Sequence, residues 1–181
     1  MRSRGLKRLV VNASVARAAG GRGATASVSI NCTEFLETFR DECSHHIVMT
    51  PELSEEWNAH QSNFAARWLK SMIARKRFDY ITPPQDTALS DKIDTTATRE
   101  TDIEALREDF HLLHAALATD QTVISLDETI RHLFVRASQQ VGEIRNIIWV
   151  NPDKAEEQPI AWLRNGAPPE AHRRLSAYPT E

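Results

Sequence analysis

The stretch from residue 109 to residue 128 constrains the fold most, because it combines a helix, a turn and a strand. The helix that leads through it carries apolar side chains at three- and four-residue steps, the spacing of one buried face. These residues are Ile103, Leu106, Phe110, Leu113 and Leu117. Residues 122–126 are apolar and β-branched, as in a strand covered on both sides, and Asp127 follows them. The stretch therefore predicts an α/β fold.

Other apolar runs predict further strands at residues 9–11, 47–49 and 147–150, with 78–81 as a weaker candidate. Between them, one long helix is predicted from Thr50 to Met72, because an apolar stripe continues over that whole length. Strands that alternate with helices in this way predict a three-layer α/β/α sandwich with a central parallel sheet.

Side-chain caps predict where two other helices begin. Asn31 has Glu34 three residues later, and Thr101 has Glu104 at the same distance. Both pairs match the capping box, in which the two side chains satisfy free backbone N–H groups at a helix start.

The chain has 181 residues, which suits one domain with a full core. Residues 82–100 are polar and turn-rich, and so long a loop is usually a functional flap or disordered. The sequence predicts a domain over residues 1–152, with 82–100 as a flexible insertion. Residues 153–181 form a C-terminal extension that holds a weak helical piece around 160–163 and ends in a mobile tail.

The net charge of −3 gives no global basic field that would indicate a nucleic-acid partner. Basic residues are nevertheless clustered, and the ordinary interpretation of such runs is a solvated surface. They are Arg2, Arg4, Lys7 and Arg8 near the start, Arg67, Lys70, Arg75, Lys76 and Arg77 in the middle, and Arg173 and Arg174 near the end. No apolar run approaches membrane length. Cys32 and Cys43 lack a metal-binding spacing and favour a reducing compartment, so the sequence predicts a cytoplasmic protein.

The candidate site combines four side chains that the predicted sheet brings to one edge. Asn12 and Asp127 follow strands, whereas Glu56 and Asp109 lie on helices at the border of a buried face. In open α/β sheets, ligands bind at the carboxyl ends of the strands. Three carboxylates about 4 Å apart would repel by roughly 4 kcal/mol per pair at an effective dielectric constant near 20. A divalent cation removes that cost, and oxygen ligands favour Mg²⁺ or Mn²⁺ over zinc.

Each of these residues also has a simpler interpretation. Asp127 is equally suited to cap the following helix, and Asp109 to pair with Arg107. Glu55 is the rival of Glu56, and Asn12 alone fits a turn.

Two histidines and two serines are considered for zinc binding and for nucleophilic catalysis. His111 and His114 share a helix face, but a second set of zinc ligands is missing. Ser14 and Ser125 have no obvious histidine partner, so they are predicted to support the site by hydrogen bonding and not to act as nucleophiles.

Four short motifs follow one another along the chain. A strand is followed by Asn12-Ala13-Ser14, and a helix carries Glu56 before an aromatic residue. Asp109 precedes a leucine- and alanine-rich helix, and Ser125-Leu126-Asp127 ends a strand. In the order and spacing of these motifs, residues 9–150 resemble the PIN domain, a metal-dependent ribonuclease family.

The resemblance implies a PIN-like fold and a Mg²⁺- or Mn²⁺-dependent endoribonuclease, often the toxin of a toxin–antitoxin pair. Asn12, Glu56, Asp109 and Asp127 would then be the metal ligands and catalytic residues. RNA would be the substrate, an antitoxin protein a possible partner, and a homodimer the expected assembly. The family has Asp where this chain has Asn12, which leaves open a catalytically degenerate PIN-like domain that binds RNA or protein.

Overall fold

A computed structural model describes residues 5–179, and the strands of this range form one sheet. The strands are β1 (Arg8–Val11), β2 (His46–Met49), β3 (Phe78–Tyr80), β4 (Thr122–Ile124) and β5 (Ile148–Val150). The sheet order is β3-β2-β1-β4-β5, and every neighbouring pair is parallel. The prediction of a central parallel sheet is therefore confirmed.

The helices of the same range lie on both faces of this sheet. They are α1 (Ala13–Ala18), α2 (Ser27–Asp41), α3 (Pro51–His60), α4 (Asn63–Ala74), α5 (Thr87–Asp94), α6 (Glu100–Leu117), α7 (Glu128–Ser138) and α8 (Pro159–Arg164). Right-handed crossovers place the helices before β3 on one face and those between β3 and β5 on the other. Accordingly α2 packs against α1, α4 and α8, whereas α6 packs against α5, α7, β1 and β4. The three-layer α/β/α sandwich is confirmed.

The strand order reverses between β1 and β4. From β1 the chain moves outward to β2 and β3, and from β4 it moves the opposite way to β5. The crossovers on either side of this point leave on opposite faces, so a crevice opens at the carboxyl ends of β1 and β4. Asn12 follows β1, and Ser125 follows β4.

Three predicted helix boundaries are wrong. The stretch from Thr50 to Met72 is two helices, because Ser62 stops the first and its hydroxyl accepts from the N–H of Ala65 to cap the second. The N–H of Ser62 donates to the carbonyl of Ala16, so a tertiary contact fixes this break. Asn31 lies inside α2, which begins four residues earlier at Ser27. The helix predicted to be capped by Thr101 begins at Glu100 without a side-chain cap.

The predicted insertion at residues 82–100 contains helix α5. Its Leu89 and Ile93 are buried against the core, and Asp86 caps it by accepting from the N–H of Leu89 at 3.0 Å. The prediction of a loop is therefore wrong for the residues of α5. Two apolar residues four apart among polar ones are enough to dock one short amphipathic helix.

The C-terminal segment, residues 153–179, packs against the rest of the chain. Trp162, Leu163 and Leu175 are buried, and the N–H of Leu175 donates to the carbonyl of Ile147 at 2.9 Å. The helical piece predicted around 160–163 is α8, which lies against α2. Residues 1–4, with Arg2 and Arg4, and the last two residues of the predicted tail lie outside the described range. Within that range the C-terminal segment shares the core of the domain.

Arg131 on α7 joins the C-terminal segment to the sheet. Its buried guanidinium pairs with Glu157 at 2.8 Å and with Glu128 at 3.3 Å, and donates to the carbonyl of Trp149 at 3.1 Å. The ring of Tyr178 covers its outer face at 3.9 Å. No helix among residues 5–179 combines the length and apolar character of a membrane span.

Replacing Arg131 with alanine should destabilise the whole domain. The change leaves the carboxylate of Glu157 buried without its partner, which costs about 3–5 kcal/mol. Urea unfolding followed by tryptophan fluorescence measures the loss. Arg136→Ala, an exposed arginine on the same helix, is the matched control and should change stability by less than about 0.5 kcal/mol. Equal stabilities of the two variants would contradict this role of Arg131.

Candidate functional site

A cleft of about 550 Å³ opens where the strand order reverses. It is called the acidic cleft here, and its lining contains all four residues of the predicted site. The lining residues are Asn12, Ala13, Ser14, Arg17, Glu56, His60, Glu108, Asp109 and Asp127. Sequence reasoning missed Arg17, His60 and Glu108, because nothing in the spacing of these surface residues shows which cleft they face.

Asn12 is the nearly buried floor of the acidic cleft. Its Nδ2 donates to the hydroxyl of Ser125 at 3.0 Å, and its Oδ1 accepts from the N–H of Ser14 at 3.3 Å. The second bond caps α1, so the interpretation of Asn12 as a turn residue also describes part of its role. Its carbonyl oxygen keeps one lone pair for a ligand.

The two serines hold the turn that follows β4. The hydroxyl of Ser125 accepts from the N–H of Asp127 at 3.0 Å, in addition to the bond from Asn12. The hydroxyl of Ser14 accepts from the N–H of Leu126 at 3.2 Å. Both serines therefore position Asp127 relative to Asn12 through the backbone.

Asp127 combines a capping role with a place in the acidic cleft. Its Oδ1 accepts from the N–H of Ile130 at 3.0 Å, which caps α7. Its Oδ2 makes no hydrogen bond to the part of the chain that the structure describes. The cap and the candidate site are therefore compatible, because each uses a different oxygen.

Glu56 reaches the acidic cleft because Trp57 anchors α3. The indole N–H of Trp57 donates to the carbonyl of Val11 at 2.9 Å, which fixes α3 against the end of β1. Glu56 then lines the acidic cleft, whereas Glu55 is exposed and is not part of the lining.

Asp109 is the most buried carboxylate of the acidic cleft, with 21% of its side chain exposed. The pKa of Asp109 is raised to about 6, chiefly by burial and also by the charges of Glu56 and Asp127, whereas nearby His111 opposes the rise. The predicted alternative partner, Arg107, instead donates to Asp94 at 3.1 Å. Among residues 5–179, Asp109 therefore has no arginine partner.

His111 is the functional candidate that sequence reasoning set aside. Its Nε2 lies 2.9 Å from Oε1 of Glu56 and 4.0 Å from Oδ1 of Asp109. One ligand atom from each of these three residues lies within 4.8 Å of the others. His114, considered beside His111 as a zinc pair, is outside this group, although both histidines line a neighbouring cavity. The contact depends on the packing of α3 against α6, which residue spacing does not reveal.

The predicted basic clusters serve the fold at several positions. Arg8 pairs with Asp120, and Arg77 donates to the carbonyls of Phe39 and Arg40. Arg173 donates to the carbonyl of Glu157 at 2.7 Å. Arg17 is the arginine that lines the acidic cleft itself.

Oxygen donors of the kind that a hard divalent cation binds line the acidic cleft. Asp109, Asp127 and Glu56 supply carboxylate oxygens, and Asn12 adds an amide carbonyl. Among the described residues, however, the ligand atoms that lie within 4.8 Å of one another are those of Glu56, Asp109 and His111, so Asp127 is outside this closest group. Mg²⁺ and Mn²⁺ prefer oxygen ligands of this kind, and a cation would relieve the repulsion that raises the pKa of Asp109.

Asp109→Asn should stabilise the metal-free protein near pH 7.5 but not near pH 4. Between its ordinary pKa of 3.8 and about 6, Asp109 holds a proton in the folded chain and loses it in the unfolded chain. Stability therefore falls as the pH rises through this window, by up to roughly 3 kcal/mol at about 1.4 kcal/mol per pKa unit. Asparagine removes this cost.

Urea unfolding in chelator at both pH values measures the difference. Asp91→Asn, at an exposed position on α5, is the control and should give the same small effect at each pH. A stability change of Asp109→Asn that does not depend on pH would contradict the burial argument.

Comparison with known proteins does not identify a family for this chain. No family model matches the chain. No curated protein matches it either. The likeness to PIN domains rests on the sequence motifs described above, and the function is argued from the acidic cleft.

Proposed function

We propose that the protein is a Mg²⁺- or Mn²⁺-dependent endoribonuclease of the PIN type, which hydrolyses phosphodiester bonds in RNA. The observation that carries the proposal is the acidic cleft, where Asn12, Glu56, Asp109 and Asp127 meet at the switch point of a parallel sheet. Four residues from separate parts of the sequence converge there. Ligand sites of open α/β sheets occupy this position.

The cation would be held by Asp109, Asp127 and Glu56, with the amide oxygen of Asn12 as a neutral ligand. When bound, such a cation lowers the pKa of a coordinated water and offsets charge on a phosphate. Hydrogen bonds within the protein hold one oxygen of two of these carboxylates and so orient the other oxygen. Oδ1 of Asp127 is held by Ile130 and Oε1 of Glu56 by His111, which leaves the second oxygen of each carboxylate for a ligand.

Arg17 and His60 lie at the border of the acidic cleft and are suited to bind the RNA backbone. Both are exposed, and both line the cleft with the carboxylates. Arginine forms charge-assisted hydrogen bonds with phosphate oxygens. Single-stranded RNA is the proposed substrate, because its backbone bends into a cleft more readily than that of a duplex.

The resemblance to toxin-type PIN domains extends the proposal to partners. An antitoxin protein would inhibit the enzyme by entering the acidic cleft, and a homodimer is the expected assembly. The chain has only two cysteines, Cys32 and Cys43, and this low content fits a cytoplasmic location, where disulfides are rare.

A non-catalytic PIN-like domain that binds RNA or protein is the second candidate function. Two observations favour it. Both polar atoms of the Asn12 side chain already have partners in Ser14 and Ser125. In addition, His111 gives Glu56 a partner within the protein, so this carboxylate needs a metal less.

Asp109→Asn should lower Mn²⁺-dependent cleavage of a mixed single-stranded RNA by at least about 100-fold, the scale on which catalytic groups act. The loss of a charged ligand weakens metal binding, whereas the fold is kept or stabilised. Labelled RNA resolved on a gel measures the rates, and chelator should abolish cleavage by the original chain. Asp102→Asn, on the first turn of the same helix, is the control and should cleave normally. A folded chain that cleaves no RNA would leave the binding domain as the function.

Asn12→Asp should tighten Mn²⁺ binding about tenfold or more, because it adds a charged ligand to the site. The fold tolerates this change, since the hydroxyl of Ser125 can rotate to donate to the new carboxylate. Calorimetric titration measures the affinity, with Asn58→Asp on the exposed face of α3 as the control for added charge. No gain for Asn12→Asp over Asn58→Asp would argue against a cation at this position.

A further inference from the structure

A second, smaller cavity of about 270 Å³ adjoins the acidic cleft. It is called the side cavity here, and it lies between the start of α3, α5 with the residues before it, and one face of α6. Glu108 lines both the side cavity and the acidic cleft. His111, which lines the side cavity, bonds to Glu56 of the acidic cleft. The side cavity and the acidic cleft therefore share a wall, and neighbouring nucleotides of one strand are of a size to occupy both.

The size of the side cavity suits a flat ring system. Drug-sized ligands occupy pockets of about 300–1,000 Å³, so this space fits a smaller group such as a single nucleobase. A neighbouring cavity of about 490 Å³ continues from it past His114 to Leu117 and Ala118. The groove thus has room for the nucleotide beyond the first base.

The lining of the side cavity offers both apolar faces and polar edges. Phe110 and Pro83 supply apolar surface, and the ring of His114 lies 6.5 Å from that of Phe110. Gln85 and Ser90 add polar groups. Proteins that recognise single-stranded RNA hold its bases in this way, with the ring faces on aromatic or apolar side chains and the edges hydrogen-bonded.

Hydrogen-bond acceptors on the side cavity indicate which base it prefers. Glu52 is exposed and lines the cavity, and no hydrogen bond to its carboxylate is formed by residues 5–179. Nδ1 of His111 is buried and also lacks a partner within the described range. Arg107, which is positively charged, is engaged by Asp94. Carboxylate acceptors pair with the amino groups of bases, as with N4 of cytosine.

We propose that the side cavity binds a nucleobase with an exocyclic amino group, adenine, cytosine or guanine, next to the bond that the acidic cleft cleaves. This inference rests on the proposed nuclease, because it names the substrate preference of the same site. Uracil, which has no amino group, is the disfavoured base. Glu52 is the residue that sets the preference.

Two measurements test the inference separately from the nuclease. In the first, adenosine, cytidine and uridine are titrated into the full chain in chelator, and binding is followed by calorimetry or by shifts of backbone amide resonances. Nucleosides are chosen because they carry no phosphate that the carboxylates would repel. Adenosine or cytidine should bind at least about fivefold more tightly than uridine, the lower end of discrimination for one base contact.

Glu52→Gln should bring the affinities for cytidine and uridine together, because it removes the charged acceptor. Glu55→Gln, on the same helix but outside the lining, is the matched control and should keep the discrimination. Ser90→Phe, which fills the side cavity, should abolish nucleoside binding. Equal binding of uridine by the original chain, or equal loss in both glutamine variants, would overturn the inference.

In the second measurement, cut positions are mapped on a single-stranded RNA of random sequence with Mn²⁺. Amino-bearing bases should be enriched on one side of the cut for the original chain and for Glu55→Gln, and not for Glu52→Gln. Cleavage without any base preference, together with no nucleoside binding, would contradict base binding in the side cavity and would still support the proposed nuclease. Selective nucleoside binding without cleavage would support base binding in the side cavity and would contradict the proposed nuclease activity.

Discussion

The pairing of β1 with β4 is the constraint on which the rest of the site depends. Because the N–H of Asn12 donates to the carbonyl of Ile124 at 2.8 Å, the backbone ladder continues one residue beyond the strands. The side chains that come next, those of Asn12 and Ser125, then meet at 3.0 Å. Ser125 in turn holds the N–H of Asp127. One ladder at the centre of a buried sheet thus positions the floor of the acidic cleft and the start of α7. The reversal of strand order at this ladder opens the space into which α3 and α6 bring Glu56 and Asp109.

Crowding of like charges is the energetic consequence of this geometry. The pKa of Asp109 is raised to about 6, mainly by burial and in addition by the charges of Glu56 and Asp127. The described residues relieve the crowding only in part, since His111 lies close to Glu56 and Asp109 but none of their arginines pairs with Asp109. Stability alone favours replacing a buried carboxylate of this kind by a neutral residue. Folding stability therefore does not account for its presence in the acidic cleft, and this is consistent with the cation proposed above.

The fold and the main site residues followed from short-range patterns, whereas their partners did not. Asn12 and Asp127 each follow an apolar strand, and this local pattern is sufficient to predict that both lie at the carboxyl edge of a parallel sheet. Glu56 and Asp109 were located by their position beside a buried helix stripe. The bond between His111 and Glu56 depends on how two distant helices cross, and the break at Ser62 depends on a backbone contact to Ala16. Both are tertiary contacts between segments far apart in the sequence. The packing of the C-terminal segment was missed for the same reason, since Leu175 is held by the carbonyl of Ile147.

Asn12 connects the two candidate functions, because its amide has nearly the shape of the carboxylate that the PIN family carries there. The amide nitrogen of Asn12 donates a hydrogen bond to the hydroxyl of Ser125. A carboxylate at this position would instead accept a hydrogen bond from that hydroxyl. The surrounding backbone therefore tolerates either group, and the difference lies in the charge. With asparagine, the site carries one negative charge fewer against Asp109, so the metal-free protein is less strained and a cation is held less tightly. In the described cleft Glu56, Asp109 and Asp127 remain as charged ligands, with Glu108 beside them, and together they carry more negative charge than a divalent cation neutralises. Electrostatics therefore favours a weakened metal centre over an abolished one, which is why the nuclease is proposed ahead of the binding domain.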